Sequence, residues 1–119
     1  VLNWYKRIKN IIRWIPVLWK DRDWDHYYIF EILKTKLKFQ SEYIRKKGYH
    51  ENSEHEANRM DLCIKLINRV QNEYYIDQLV ENKREDFDES DIRKAFNKHD
   101  KAKRILFKLL ENNIEKWWD

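Results

Sequence analysis

The sequence predicts an all-α bundle in a single domain, and three observations predict it. The 119 residues include one glycine and one proline, the residue types on which tight turns and hairpins depend. Apolar side chains recur at three- and four-residue spacing through most of the chain, and no run alternates with the period of a strand. Aromatic residues make up 15% of the chain, which supplies large side chains for a core although 39% of the residues are charged. A chain of this length buries one core and has no room for a second. Residues 1–119 are therefore read as one helical domain of about four helices.

The first helix covers about 2–14, with Trp4, Ile8, Ile11, Ile12 and Ile15 at helical spacing. Pro16 disfavours helix at Ile15, so the helix stops or kinks there and 16–22 becomes a connector. A basic amphipathic stretch of this kind is also found in helices that lie in a membrane interface. Docking on its own bundle accounts for the same stripe, and no membrane partner is expected. The second helix covers 23–47, N-capped by Asp23, with Asp25 near the positive end of the dipole. Its stripe is Phe30, Leu33, Leu37 and Ile44, with Ile29 and Tyr43 beside it. Arg45, Lys46 and Lys47 fill the last turn, and Gly48 follows where a left-handed residue is wanted.

The third helix covers 54–80 and is entered through a capping box of Ser53 and Glu56. Met60, Ile64 (or Cys63), Ile67, Val70 and Tyr74 share its inner face. The acidic stretch 81–89 is a loop. Ser90 caps the fourth helix, 91–117, which turns Ile92, Phe96, His99, Ala102, Leu106, Leu109, Leu110 and Trp117 inward.

The net charge of +4 is unevenly placed. Lys6, Arg7, Lys9, Arg13 and Lys20 stand in the first twenty residues with no acid, whereas Glu81, Glu85, Asp86, Asp88, Glu89 and Asp91 crowd the stretch 81–91. The balance favours an anionic partner without the saturation of a dedicated duplex-DNA binder, and nucleic acid stays open as a partner. A lone Cys63 has no internal disulfide partner, which fits a reducing compartment or no redox requirement. No apolar run reaches the length of a membrane span and no signal peptide is visible. The chain begins at Val1, which reads as an initiator Met removed or left out of the numbering.

The densest chemistry lies at 13–28, R-W-I-P-V-L-W-K-D-R-D-W-D-H-Y-Y. Trp19 and Trp24 flank Lys20, Asp21, Arg22 and Asp23, which presses charges against indole faces. Indoles stack on a base and Arg or Lys takes phosphate, while carboxylates suit ribose hydroxyls or an exocyclic amine. The start of the second helix adds a favourable potential for phosphate. The expected ligand set is Arg13, Trp19, Lys20, Asp21, Arg22, Asp23, Trp24, Asp25 and His26, joined by His55, Arg59 and Arg69 from the third helix. The competing account has both indoles packed into the bundle end and the charges forming solvated pairs and a cap.

Other chemistry is weaker. Asp21, Asp23 and Asp25 open like a calcium loop, but the glycine and glutamate such a loop needs at its sixth and twelfth positions are His26 and Ile32. His50 and His55 have the wrong spacing for one helical face, and no cysteine pair completes a zinc site. His99-Asp100 suggests a helical metal-dependent phosphohydrolase, with His55 and Asp61 as further ligands, yet His99 falls on the apolar stripe and reads as a hydrogen-bonded core residue. Glu51 and Glu54 hint at a pyrophosphohydrolase pair, but a second acidic pair is missing and capping explains Glu54. No nucleophile–base pair or glycine-rich loop exists. No catalytic residue, metal or cofactor is expected.

The run at 13–28, a basic helix after it, H-E-A-N-R-M at 55–60 and L-I-N-R at 66–69 resemble a group of small proteins from tailed-phage genomes that share a W-K-D-R-D-W-D core. The resemblance spans roughly 10–75. It implies a setting, the cytoplasm of an infected bacterium, where small phage proteins often counter host defence. One class of these binds nucleotide immune messengers and sequesters them without cleavage, usually as an oligomer. The expected function is such capture of an anionic nucleotide by a homo-oligomer. The alternatives are a nucleic-acid-binding accessory protein and a protein–protein inhibitor or adaptor.

Overall fold

The structure, a computed structural model, describes residues 2–48, 52–83 and 86–117. They form five α-helices and a short 3-10 turn: α1 (Leu2–Lys20), α2 (His26–Lys47), α3 (Ser53–Gln71), α4 (Tyr74–Lys83), α5 (Glu89–Asn113) and the turn Ile114–Lys116. No strand occurs among the described residues, so the all-α class holds, with one helix more than expected. None of the described helices is long and apolar enough to cross a membrane.

The core is built by three of the helices. Leu37 and Ile44 of α2, Met60, Cys63, Leu66, Ile67 and Val70 of α3, and Ala102, Leu106 and Leu110 of α5 pack together, and Trp117 closes one end. Helix α3 lies at the centre, with α2 and α5 against it and α4 against α5. Its inner face matches the expected stripe because burial follows the 3.6-residue period.

Several element ends differ from the sequence reading. Helix α1 runs through Pro16 to Lys20. The proline removes one backbone hydrogen bond, that to the Ile12 carbonyl, and Ile12 lies on an open surface where water can replace it. Helix α2 is capped by Asp25, whose carboxylate accepts from the Tyr27 N–H at 3.0 Å, and not by Asp23. Ser53 is the first residue of α3 and not its cap; Asn52 holds the cap position and no capping box forms there. Asp88 caps α5, exchanging backbone and side-chain hydrogen bonds with Asp91 at 3.0 and 3.2 Å, and Ser90 falls inside the first turn.

The expected helix 54–80 is two helices. Glu73 adopts a positive φ of 49°, the Asn72 amide folds back to donate to the Asn68 carbonyl at 3.0 Å, and the chain restarts as α4. Tyr74 consequently opens α4. Helix α4 runs on to Lys83, which removes much of the expected acidic loop; Arg84 and Glu85 lie outside the described residues. Helix α5 ends at Asn113 and the chain tightens into the 3-10 turn. Phe96 does not point inward and is 55% exposed. Gly48 ends α2 with φ −65° and ψ 131°, an extended and not a left-handed conformation.

The largest departure is α1. It meets the rest of the chain mainly at α2, and sparsely. Trp14 sets its edge on the Phe39 ring at 5.3 Å between centroids, and the Arg13 guanidinium lies 3.9 Å from the centre of the same ring. The side of α1 that touches α2 is the one bearing Asn10, Arg13 and Trp14. The apolar stripe, expected to dock on the bundle, faces away from it.

Candidate functional site

The 13–28 patch does not form a single pocket. Trp19 and Trp24 are 81% and 78% exposed, so neither packs into the bundle end, and neither stacks on another ring among the described residues. Lys20, Arg22 and Asp23 are exposed and Asp21 is half-buried. Arg22 donates to the backbone carbonyls of Trp19 and Asp21, at 3.3 and 2.7 Å, and pairs with no carboxylate among the described residues. Asp25 caps α2 and stands 3.3 Å from His26 Nδ1.

The three residues nominated from α3 lie elsewhere. His55 is exposed in the first turn. Arg59 is committed to structure: it donates to Glu56 at 3.2 Å and to the Asn113 side chain at 2.6 Å. The Arg69 guanidinium stacks 4.9 Å above the Tyr74 ring, beside a shallow groove containing Asp77 and Glu81.

The enzyme-like residues are also accounted for. Glu54 and Asp61 both pair with Arg45, at 3.1 and 2.9 Å, and Asp61 accepts from the Ser41 hydroxyl at 2.9 Å. His99 is half-buried at the wall of a cleft and not in the core. His50 and Glu51 lie outside the described residues. No group of three or more potential metal ligands forms among the described residues. Cys63 is fully buried, and burial pushes its thiol up to about 11, so it carries almost no thiolate at neutral pH.

Besides the groove at Arg69, two clefts contain nominated residues. The first, about 410 Å³, lies between the start of α2, the α3–α4 break and α5. Asp25, His26, Glu73, Tyr75, Phe96 and His99 are among its lining residues. It includes two carboxylates and neither Lys nor Arg, which makes it a poor seat for phosphate. The second, about 310 Å³, lies between α1 and α2 and is lined by Asn10, Arg13, Trp14, Lys36, Phe39, Gln40, Tyr43 and Ile44. Both volumes lie at the small end of the range for ligand pockets.

The second cleft contains no carboxylate, whereas four other clefts each include at least one. Neither Arg13 nor Lys36 pairs with an acid among the described residues. Stacking on Phe39 fixes the guanidinium plane and leaves its N–H edge for an oxyanion. Gln40 is held in place by donating its amide N–H to the Trp117 carbonyl.

Compared with protein-family models, curated proteins and solved structures, the chain matches none. The site is therefore argued from its own residues. Of the nominated set, Arg13 alone lies in the acid-free cleft, and Lys36, Trp14, Phe39 and Tyr43 were missed. The available signal was spacing: Lys36, Phe39 and Tyr43 follow one another at three and four residues on α2. They share the face that α1 crosses.

Proposed function

We propose that this chain is a binding protein that captures an anionic, ring-bearing ligand of the nucleotide class in the α1–α2 cleft and returns it unchanged. The observation that carries this is the cleft's composition: two cations without acidic partners beside three aromatic rings and two side-chain amides, with no carboxylate. Arg13 and Lys36 take the phosphate, and Trp14 or Tyr43 offers a face to the base. That lining has no Ser, Thr, Cys, His, Asp or Glu, so release of intact ligand is the expected behaviour. In the phage setting that the resemblance implies, such capture would withdraw a nucleotide messenger from the immune system of an infected cell.

The test is calorimetric titration with ATP, ADP-ribose, a cyclic dinucleotide and inorganic phosphate, followed by heat denaturation and identification of the released material. Arg13→Ala and Lys36→Ala are each expected to weaken binding about tenfold or more, as befits a charged hydrogen bond worth about 1.5–3 kcal/mol. Helicity should be unchanged, because neither side chain belongs to the core. The proposal fails if no nucleotide binds, if both variants bind like the parent, or if the recovered ligand is cleaved.

A further inference from the structure

The apolar face of α1 has no cover among the described residues. Trp4, Ile8, Ile11, Ile15 and Leu18 repeat at spacings of four and three, the a/d pattern of a helix that packs along a seam. Tyr5, Ile12 and Trp19 widen the same face. All eight are exposed, Trp4 to 68%. With about 100 Å² open on each of the five aliphatic side chains, about 200 Å² on each indole and somewhat less on Tyr5, the face is on the order of 1,000 Å². A contiguous apolar surface of that size is not left to water in a stable monomer.

We infer that this face is buried against a second copy of the same chain. Three observations select that occupant. First, the surface of the whole molecule is 9537 Å² for 15.1 kDa, where a compact monomer of that mass exposes about 7,100 Å². The excess, roughly 2,400 Å², is at least what one partner contributes to a large, obligate homodimer interface. Secondly, α1 can meet its own twin without charge repulsion. At about 100° per residue, Lys6, Lys9, Arg13 and Lys20 fall on the half of the helix opposite the seam, with Arg7 at its border. Thirdly, Ile29 on α2 and Phe107 on α5 are exposed as well. Open apolar side chains thus occur on three helices, and a lipid surface touching α1 alone does not cover those on α2 and α5. A two-fold pairing is self-complementary by construction, and it uses the side of α1 away from the ligand cleft. The inference does not depend on what that cleft binds.

Ile11 is the midpoint of α1 (Leu2–Lys20). Where two such helices cross at their midpoints it faces its own twin in a parallel or an antiparallel pair, and this gives a direct test. Sedimentation velocity at tens of micromolar is expected to give about 30 kDa, twice the 15.1 kDa of one chain. Introducing Ile11→Glu together with Ile15→Glu should halve that mass with the circular dichroism unchanged, since both side chains are open in the single chain. Ile11→Cys should give a disulfide-linked dimer on mild oxidation, while buried Cys63 does not compete. The inference is overturned by a wild-type chain that sediments as a monomer, including one that instead binds phosphatidylglycerol vesicles. Dimers that survive the double charge substitution, or loss of helix in that variant, overturn it equally.

Discussion

Glu56 shows how much a single residue can organise here. Its carboxylate is 5% exposed and accepts from the Trp117 indole N–H at 2.8 Å and from Arg59 at 3.2 Å. Arg59 in turn holds Asn113, and the Trp117 carbonyl accepts from Gln40. One buried acid therefore joins α3 to the end of α5, and through Trp117 to α2. Glu56→Ala leaves the indole N–H and the guanidinium short of an acceptor. Breaking a fully buried pair costs about 3–5 kcal/mol; Arg59 is partly open to water, so about 2–3 kcal/mol is expected. Glu56→Gln keeps an acceptor for Trp117 and should lose less than half of that. Urea unfolding followed by tryptophan fluorescence measures both, and equal losses in the two variants would show that the indole contact contributes nothing. The sequence placed Trp117 inward but read Glu56 as a capping residue. A partner sixty-one positions away leaves no mark in local spacing; Trp118 lies outside the described residues.

At the scale of the element, Gly48 is needed for closeness and not for handedness. Its φ of −65° suits any residue, but a methyl group there would overlap the Ile44 carbonyl and the Ser53 hydroxyl. The Gly48 N–H also donates to that carbonyl at 2.8 Å, which holds Gly48 on the last turn of α2 and leaves it little room to move away. Gly48→Ala should therefore destabilise by roughly 1–3 kcal/mol, the usual result of overpacking. Gly48→Asn separates the two accounts. Asparagine tolerates a left-handed position well, yet here it should cost at least as much as alanine; a milder loss in thermal denaturation would restore the left-handed cap. The helices themselves were legible from periodicity, their ends much less so. Asp21, Asp23 and Asp25 are all competent caps, as are Asp88 and Ser90, and tertiary packing chose among them. The break between α3 and α4 depends on one backbone angle at Glu73, which no apolar pattern records.

The whole molecule has two unequal parts: a core shared by α2, α3 and α5, and α1 held to it at Phe39. A radius of gyration of 17.7 Å exceeds the roughly 13.5 Å of a compact chain of this length, and extents of 62 × 35 × 21 Å show the elongation. Periodicity identified the apolar face of α1 correctly, but it could not say which way that face points. Stability should divide along the same boundary. Amides of α3 lie within the core and exchange only when the core unfolds, whereas α1 can open at its sparse contact while the core stays intact. Trp14→Ala removes the edge contact with Phe39 from a half-buried position. It should speed hydrogen exchange throughout α1 while shifting global unfolding by no more than about 0.5 kcal/mol, as for a substitution outside the core. If exchange at α1 and α3 instead slowed and quickened together across denaturant concentrations, α1 would be part of the same cooperative unit. Dilution extends the test, because ligation by a second copy stabilises only what it covers: protection at α1 should fall as protein concentration falls, and protection at α3 should change far less.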